Sequence, residues 1–264
     1  MKTVTSRDGT PLAFERLGHG PPVIAVCGAM CDRALMRPTA EALAKHFTVF
    51  NYDRRGRGDS GDTQSYTIGR EIEDLDALIT EAGGSAHVYG HSSGAGLALH
   101  AAAAGLSISR LVLHDPPYTP DGDEEARQAT REYGEELKTL LSEGRRGHAV
   151  ELLFTTVGMP REMVDGIRRT PRWAELEAMA PTLAYDSEVM GDVGREGTIP
   201  VVLASGMTTP ALVLTGGADH TWMTDVGRQL AAVCPQGRHR VLEGQEHIVP
   251  PEVLVPVLTQ FLAD

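Results

Sequence analysis

The sequence predicts an α/β fold, a mostly parallel, doubly wound sheet interrupted by an inserted helical cap, and three observations carry this. Short β-branched runs alternate with helix-period segments up to Leu113. The alternation stops after Pro116-Pro117, and residues 118–205 read as helices broken by Pro and Gly. Strand and helix signals then return at Ala211–Leu214 and continue to the last residues. Such alternation implies right-handed crossovers that cover both faces of a parallel sheet.

Taken in order, Thr3–Ser6 and Leu12–Leu17 flank the turn signal Asp8-Gly9 and predict an opening β-hairpin. Pro22–Cys27 is a continuous apolar run stopped by Gly28, the pattern of a strand buried on both faces. The spacing then predicts helix 33–46, strand 48–52, helix 68–82, strand 86–89, helix 93–104 and strand 108–113. Within the insertion the apolar positions cluster at Leu137, Leu140 and Leu141, at Leu153 and Phe154, and at Trp173, Leu176 and Met179. Helix 222–232, strand 240–242 and a final helix 251–262 complete the pattern. The expected division is a core of residues 1–117 and 206–264, with residues 118–205 as the cap.

An apolar fraction of 41% and a charged fraction of 23% are those of an ordinary globular chain. No apolar run approaches the roughly 20 residues needed to span a bilayer. The first residues carry no secretory pattern, so a cytoplasmic location is expected. A net charge of −12 repels phosphate backbones and anionic membranes. The partner it leaves is a small-molecule substrate, with no nucleic acid and no membrane. Cys27, Cys31 and Cys234 match no metal or redox spacing and read as reduced thiols. Lys2, Lys45 and Lys138 are the only lysines, a bias expected of a GC-rich bacterial genome.

The chemistry is concentrated in Tyr89-Gly90-His91-Ser92-Ser93-Gly94, a G-x-S-x-G pattern between a predicted strand and a predicted helix. A serine there sits on a sharp, strained turn, with small residues two positions to either side so that neighbouring backbone does not clash. The helix that follows directs its positive end toward any developing oxyanion.

With this motif in this context, the chain resembles the α/β-hydrolase superfamily over nearly its whole length, in its capped, serine-nucleophile, bacterial branch of esterases, lactonases and haloperoxidases. The resemblance implies a nucleophile, acid and histidine in that chain order, and hence Ser92, Asp219 and His247. Asp219 ends the run Ala211–Asp219, and His247 follows Leu242-Glu243-Gly244-Gln245-Glu246. Asp115, at the end of an earlier strand, is the alternative acid. The resemblance also implies two oxyanion N–H donors, Ser93 and, from the loop Val26-Cys27-Gly28-Ala29-Met30, Ala29, with Met30 the second choice. Cys27 stands where relatives carry a histidine, so the support of that loop must differ here. Cys27 itself reads as an inert small hydrophobe.

The loop Asn51-Tyr52-Asp53-Arg54-Arg55-Gly56-Arg57-Gly58-Asp59-Ser60 reads as arginines paired with local carboxylates, not as an anion site. His91 reads as a packing residue. His114 and His220 adjoin strand ends without any zinc spacing, and no third glycine completes a dinucleotide fingerprint near Gly56 and Gly58. No metal and no cofactor are expected. Met30, Cys31, Phe154, Trp173 and Tyr185 are candidate pocket residues, with Leu153 and Met179 as further cap positions, and they favour an apolar substrate.

The expected activity is hydrolysis of a carboxylic ester, lactone or thioester through an acyl-enzyme. A serine rather than an aspartate at the elbow argues against the dehalogenase and epoxide-hydrolase relatives. Acyl transfer or cyclisation, C–C bond hydrolysis, and a low-turnover ligand receptor are the alternatives on the same triad.

Overall fold

A computed structural model of the chain describes residues 1–63, 65–218 and 221–264. The elements in chain order are β1 (Lys2–Thr5), β2 (Pro11–Leu17), β3 (Pro22–Val26), α1 (Arg33–Leu43), β4 (Thr48–Tyr52), α2 (Ile68–Glu81), β5 (Ala86–His91), α3 (Ser93–Ala103) and β6 (Ile108–His114). The insertion holds α4 (Glu124–Ser142), α5 (Arg146–Thr156), α6 (Arg161–Arg168), α7 (Arg172–Met179), a 3-10 turn at Ala180–Thr182, α8 (Leu183–Met190), α9 (Asp192–Arg195) and α10 (Val201–Ser205). Then follow β7 (Ala211–Gly216), α11 (Thr221–Val233), β8 (Gly237–Leu242) and α12 (Pro251–Ala263).

The strands form one sheet in the order β1-β2-β4-β3-β5-β6-β7-β8. β2 pairs antiparallel with β1 and with β4, and every later pairing is parallel. β4 lies on one side of β3 and β5 on the other, so the order reverses between them. In open α/β sheets the crevice at the carboxyl ends of the strands at such a switch point is where ligands bind. The register brings Val26 opposite Gly90, His91 opposite His114, and His114 opposite Leu214, which lines up the ends of four strands at that edge.

Alternation along the pleat fills both faces. Val23 and Ala25 point with Val49, Val112 and Leu214 into a core covered by α1 and α12, through Met36, Ala40, Leu43, Leu254, Leu258 and Phe261. Ile24 and Val26 point the other way, with Val88, Leu111, Leu113 and Val213, beneath α2, α3 and α11. Helix α1 stops three residues short of the expected His46, because the N–H groups of His46 and Phe47 both turn back onto the Leu43 carbonyl.

The segment 118–205 divides between two cores. Helices α4 to α7 build an apolar cluster of their own from Leu137, Leu140, Val150, Val164, Trp173, Leu176 and Met179. Tyr118, Val189, Met190, Ile199 and Ala204 instead join the sheet core beside α3. The later part of the insertion is therefore packed onto the sheet, and the earlier part forms a cluster apart from it, joined by Met30. Among the described residues no helix is long and apolar enough to cross a membrane.

Candidate active site

Ser92 sits between β5 and α3 with φ 57° and ψ −129°. A non-glycine residue in that region costs on the order of 1–3 kcal/mol and persists only where its surroundings hold it. Here they do: Ser92 N–H donates to the His114 carbonyl at 2.8 Å, and the Ser92 carbonyl accepts from Ala95 N–H at 2.9 Å. Although Ser92 occupies the N-cap position of α3, its side chain caps nothing.

The flanking glycines are required by close approach. A Cβ on Gly90 would lie 2.5 Å from the Gly94 carbonyl oxygen, and one on Gly94 would lie 2.4 Å from the Val26 carbonyl oxygen. Gly28 likewise faces Ser92, where a Cβ would come within 2.7 Å of the Ser92 Cβ. The turn after β3 thus lies directly against the elbow.

Both expected oxyanion donors belong to these turns. Ser93 is the first residue of α3, where an N–H has no intrahelical partner. Ala29 follows Gly28 and precedes Met30, which adopts φ 53°. No acceptor among the described residues meets the N–H of Ser93 or of Ala29. Cys27 is buried and donates its thiol to the Cys31 carbonyl at 3.2 Å. Burial pushes its pKa up, outweighing Arg57 and Arg54 nearby, so it remains an un-ionised thiol.

His247 lies in the loop after β8, its ring centroid 4.6 Å from that of His91 beside the nucleophile. Its Nδ1 stands 3.1 Å from Oδ2 of Asp115. Asp115 is buried at the end of β6 with φ 45°, and its Oδ1 accepts from Gly216 N–H at 3.0 Å. The carboxylate is therefore fixed by the neighbouring strand end while its second oxygen meets the imidazole. The expected acid Asp219 and its neighbour His220 lie outside the described residues.

Two more histidines complete a column. His91 Nε2 donates to the His247 carbonyl at 2.9 Å, which ties the histidine loop to the elbow. His114 lies behind His91, its ring tilted by 55° with centroids 5.0 Å apart, and shares a 2.8 Å hydrogen bond with the Tyr89 hydroxyl through Nδ1. Burial holds the His91 imidazole well below its usual pKa, with His247 and His114 adding to the effect. Burial likewise depresses His114 to about 4, against the opposing pull of Asp115. Both rings are neutral near pH 7. His91 does pack, as its position suggested, but it also holds the loop that carries His247.

The arginines of the β4 loop all meet carboxylates. Arg54 forms a bidentate pair with Glu71 at 2.8 and 2.7 Å, and Arg55 a bidentate pair with Asp74 at 2.7 and 2.6 Å. Arg57 grips Asp186 of α8 through Nη2 at 2.9 and 2.7 Å. Asp186 was not legible in advance: it lies 129 residues from Arg57, and neither periodicity nor motif marks it.

Of the candidate pocket residues, Met30, Phe154 and Trp173 come together in the cluster of α4 to α7. Cys31 packs instead against the core under α1 and α12. Tyr185 stacks on Tyr66 with centroids 3.9 Å apart and donates its hydroxyl to Asp62 at 2.7 Å. It fastens α8 to the core, a polar task that separates it from the apolar set. Among the described residues no group of His, Cys, Asp and Glu could hold a metal ion.

Comparison with known proteins agrees with this architecture. The sequence profile of the Alpha/beta hydrolase family matches residues 19–253. A solved alpha/beta hydrolase from Sphaerobacter thermophilus is 48% identical, with TM-score 0.86 over 98% of this chain and 99% of that one. The (E)-2-((N-methylformamido)methylene)succinate hydrolase of Acinetobacter baylyi is 25% identical over 92% of this chain and 89% of its own length. The N-formylmaleamate deformylase of Pseudomonas putida is 37% identical over 109 residues, a match spanning 40% of this chain and 41% of the deformylase. With a strand order, an elbow and a profile match that all coincide, the chain belongs to the alpha/beta hydrolase family.

Proposed function

We propose that the protein is a serine hydrolase that cleaves a carboxylic ester, lactone or thioester of a small, largely apolar substrate through an acyl-enzyme on Ser92. The observation that carries this reading is the strained Ser92 at the strand–helix junction, whose side chain caps no backbone group of α3. With Nδ1–H donated to Asp115, the Nε2 of His247 carries a lone pair. His247 takes the proton from Ser92 Oγ as that oxygen attacks the carbonyl carbon, and Asp115 stabilises the imidazolium that results. The tetrahedral oxyanion is received by the N–H groups of Ser93 and Ala29, each worth about 10²–10³ in kcat by analogy with other acyl-transfer sites. His247 then returns the proton to the leaving group, and water, deprotonated by the same nitrogen, releases the acid.

Asp115 is the acid that the described geometry favours, and Asp219 is the competing assignment. A second reading of the substrate is favoured by the relatives' names: one is called a deformylase and the other a hydrolase of an N-methylformamido compound. The same triad would then cleave a formamide C–N bond.

The test is reaction with a fluorophosphonate, the adduct being located by intact mass and peptide mapping beside a Ser92→Ala control. One adduct per chain on Ser92, with p-nitrophenyl butyrate turned over, supports the ester reading. Formate released from an N-formyl amide, with p-nitrophenyl esters left intact, favours the second. A folded protein that takes no label overturns both.

A further inference from the structure

The turn that carries Ala29 is held from behind by charge. Arg54 Nη1 donates to the Cys27 carbonyl at 3.3 Å, and Arg57 Nη1 donates to the Gly28 carbonyl. In a planar trans peptide the C=O and N–H point in opposite directions. Anchoring the Gly28 carbonyl on Arg57 therefore aims the Ala29 N–H away from the guanidinium, on a turn whose open face at Gly28 lies against Ser92. Donation onto that carbonyl also polarises the peptide and makes its N–H a stronger donor.

Both arginines converge on one carboxylate. Asp186 accepts from Arg54 Nη1 at 2.7 Å, from Arg57 Nη2 at 2.9 and 2.7 Å, and from the Ser93 hydroxyl at 2.7 Å. Burial alone would raise the Asp186 carboxyl; Arg57 and Arg54, with the Ser93 hydroxyl, outweigh it and hold the group below its usual range. The cluster is closed: Arg54 and Arg57 are fully buried, and Glu71 neutralises the far side of Arg54.

We propose that Asp186 is a positioning residue for the oxyanion hole, setting the Ala29 donor through Arg57 and the Ser93 donor through its side-chain hydroxyl. Asp186 belongs to α8, in the insertion, so transition-state binding at the sheet edge depends on α8 being docked. The inference rests on the serine-hydrolase reading above. It also accounts for Cys27: with two arginines gripping the turn, the residue before Gly28 need not support it.

The test uses Ser93→Ala, which removes one hydroxyl from the cluster and keeps the backbone N–H, with Arg57→Met, Arg57→Lys and Asp186→Asn. Removing one partner of a buried ion pair is strongly destabilising, so thermal melts accompany each variant and Ser93→Ala keeps the idea falsifiable if the charge variants do not fold. Read-outs are kcat and KM on p-nitrophenyl butyrate, and inhibition by a trifluoromethyl ketone that forms an oxyanion on Ser92 and by the corresponding alcohol, which cannot.

The expected result for Arg57→Met is a fall in kcat of about 10–100-fold with KM nearly unchanged, the mark of an interaction made only in the transition state. The ketone weakens by the same factor and the alcohol does not. Arg57→Lys recovers part of the loss, and Ser93→Ala shows the same pattern at about 3–10-fold. Folded variants with unchanged kcat and ketone inhibition, or variants that lose ketone and alcohol equally, overturn the inference. If the wild type labels on Ser92 and turns over while the variants match it, only this inference fails. A wild type that neither labels nor turns over overturns the hydrolase reading and this inference with it.

Discussion

The sheet and the insertion reach their stability by different routes. The sheet buries Val23, Ile24, Val88, Leu111 and Val213 completely, between helices on both faces, and hangs its polar groups on strand ends. The earlier part of the insertion fills its cluster with Met30, Trp173, Met179 and half-buried Phe154 and Met159. Methionine, unbranched and flexible, adapts its shape to what it contacts. The two regions are joined by Asp186, by Tyr185 on Asp62 and Tyr66, and by Arg172 reaching Asp32 at 3.8 Å. If bond-making takes place at the sheet edge, as proposed above, substitutions in the sheet should change rate and those in the methionine-containing cluster selectivity, with Asp186 the exception.

The sharpest test of that division is at the sheet edge. Ser92→Ala should lower kcat by about 10⁶, the loss typical of a missing nucleophile in a triad, without lowering the melting temperature. Melting should, if anything, improve once the strain at φ 57° is the only cost left and no hydroxyl must be placed. Next in size is the acid. Asp115→Asn should cost about 10⁴ in kcat through the loss of the correct His247 tautomer. The matched Asp219→Asn variant decides the assignment: if it carries the larger loss, the acid is the one after β7, and Asp115 serves to fix Gly216.

Most of the sheet could be read directly from the residues. The run Pro22–Val26, stopped by glycine, and the small residues around Ser92 are local signals, and each specifies its element without help from distant chain. His247 could be singled out from the order of motif residues alone, and the structure places it beside His91 and Asp115. The acid was less legible, since the sequence offers an aspartate soon after each of two strands, Asp115 directly after β6 and Asp219 three residues along the chain from the last residue of β7. The Asp186 cluster was not legible at all: Arg54 and Arg57 announce a need for carboxylates, but a partner 129 to 132 residues away is chosen by how α8 docks. The limits of the cap blurred for the same reason, since Val189 and Met190 look like any helical apolar pair until α3 lies beside them.

Two buried groups should make the regions titrate in opposite senses. In the sheet, His114 is depressed to about 4 in the folded protein against about 6.5 unfolded. Between those values the unfolded chain binds the proton and the folded one does not, so stability falls as pH drops from about 6.5 toward 4. In the insertion, burial raises Asp192 to about 7, Asp186 adding to the effect against a Ser187 hydrogen bond. The folded state then holds a proton that the unfolded carboxylate gives up, so stability falls as pH rises from about 4 through 7. Over its full range the effect is about 3 kcal/mol for His114 and about 4 kcal/mol for Asp192. In urea unfolding at pH 5.0 and 7.5, Asp192→Asn should therefore steepen the gain in stability with pH, and His114→Gln should reduce or reverse it. Parallel shifts in the two variants would show that neither group titrates as its burial requires.

The smallest effect is expected where the two regions meet in water. Tyr185 donates to Asp62 at 2.7 Å, but Asp62 is solvent-exposed, so its carboxylate is hydrated whether or not the phenol is present. Tyr185→Phe keeps the ring stacked on Tyr66 at 3.9 Å and removes only that bond, which should cost about 0.5–1 kcal/mol. Tyr185→Ala also removes the stacked ring, and should cost a further 0.5–1.5 kcal/mol beyond the lost burial, about what an aromatic pair supplies. If the phenylalanine variant instead loses as much as the alanine variant, the hydroxyl, not the ring, fastens α8. The Tyr185 joint would then be polar, and raised salt should loosen it in the wild type but not in Tyr185→Ala, which lacks the hydroxyl.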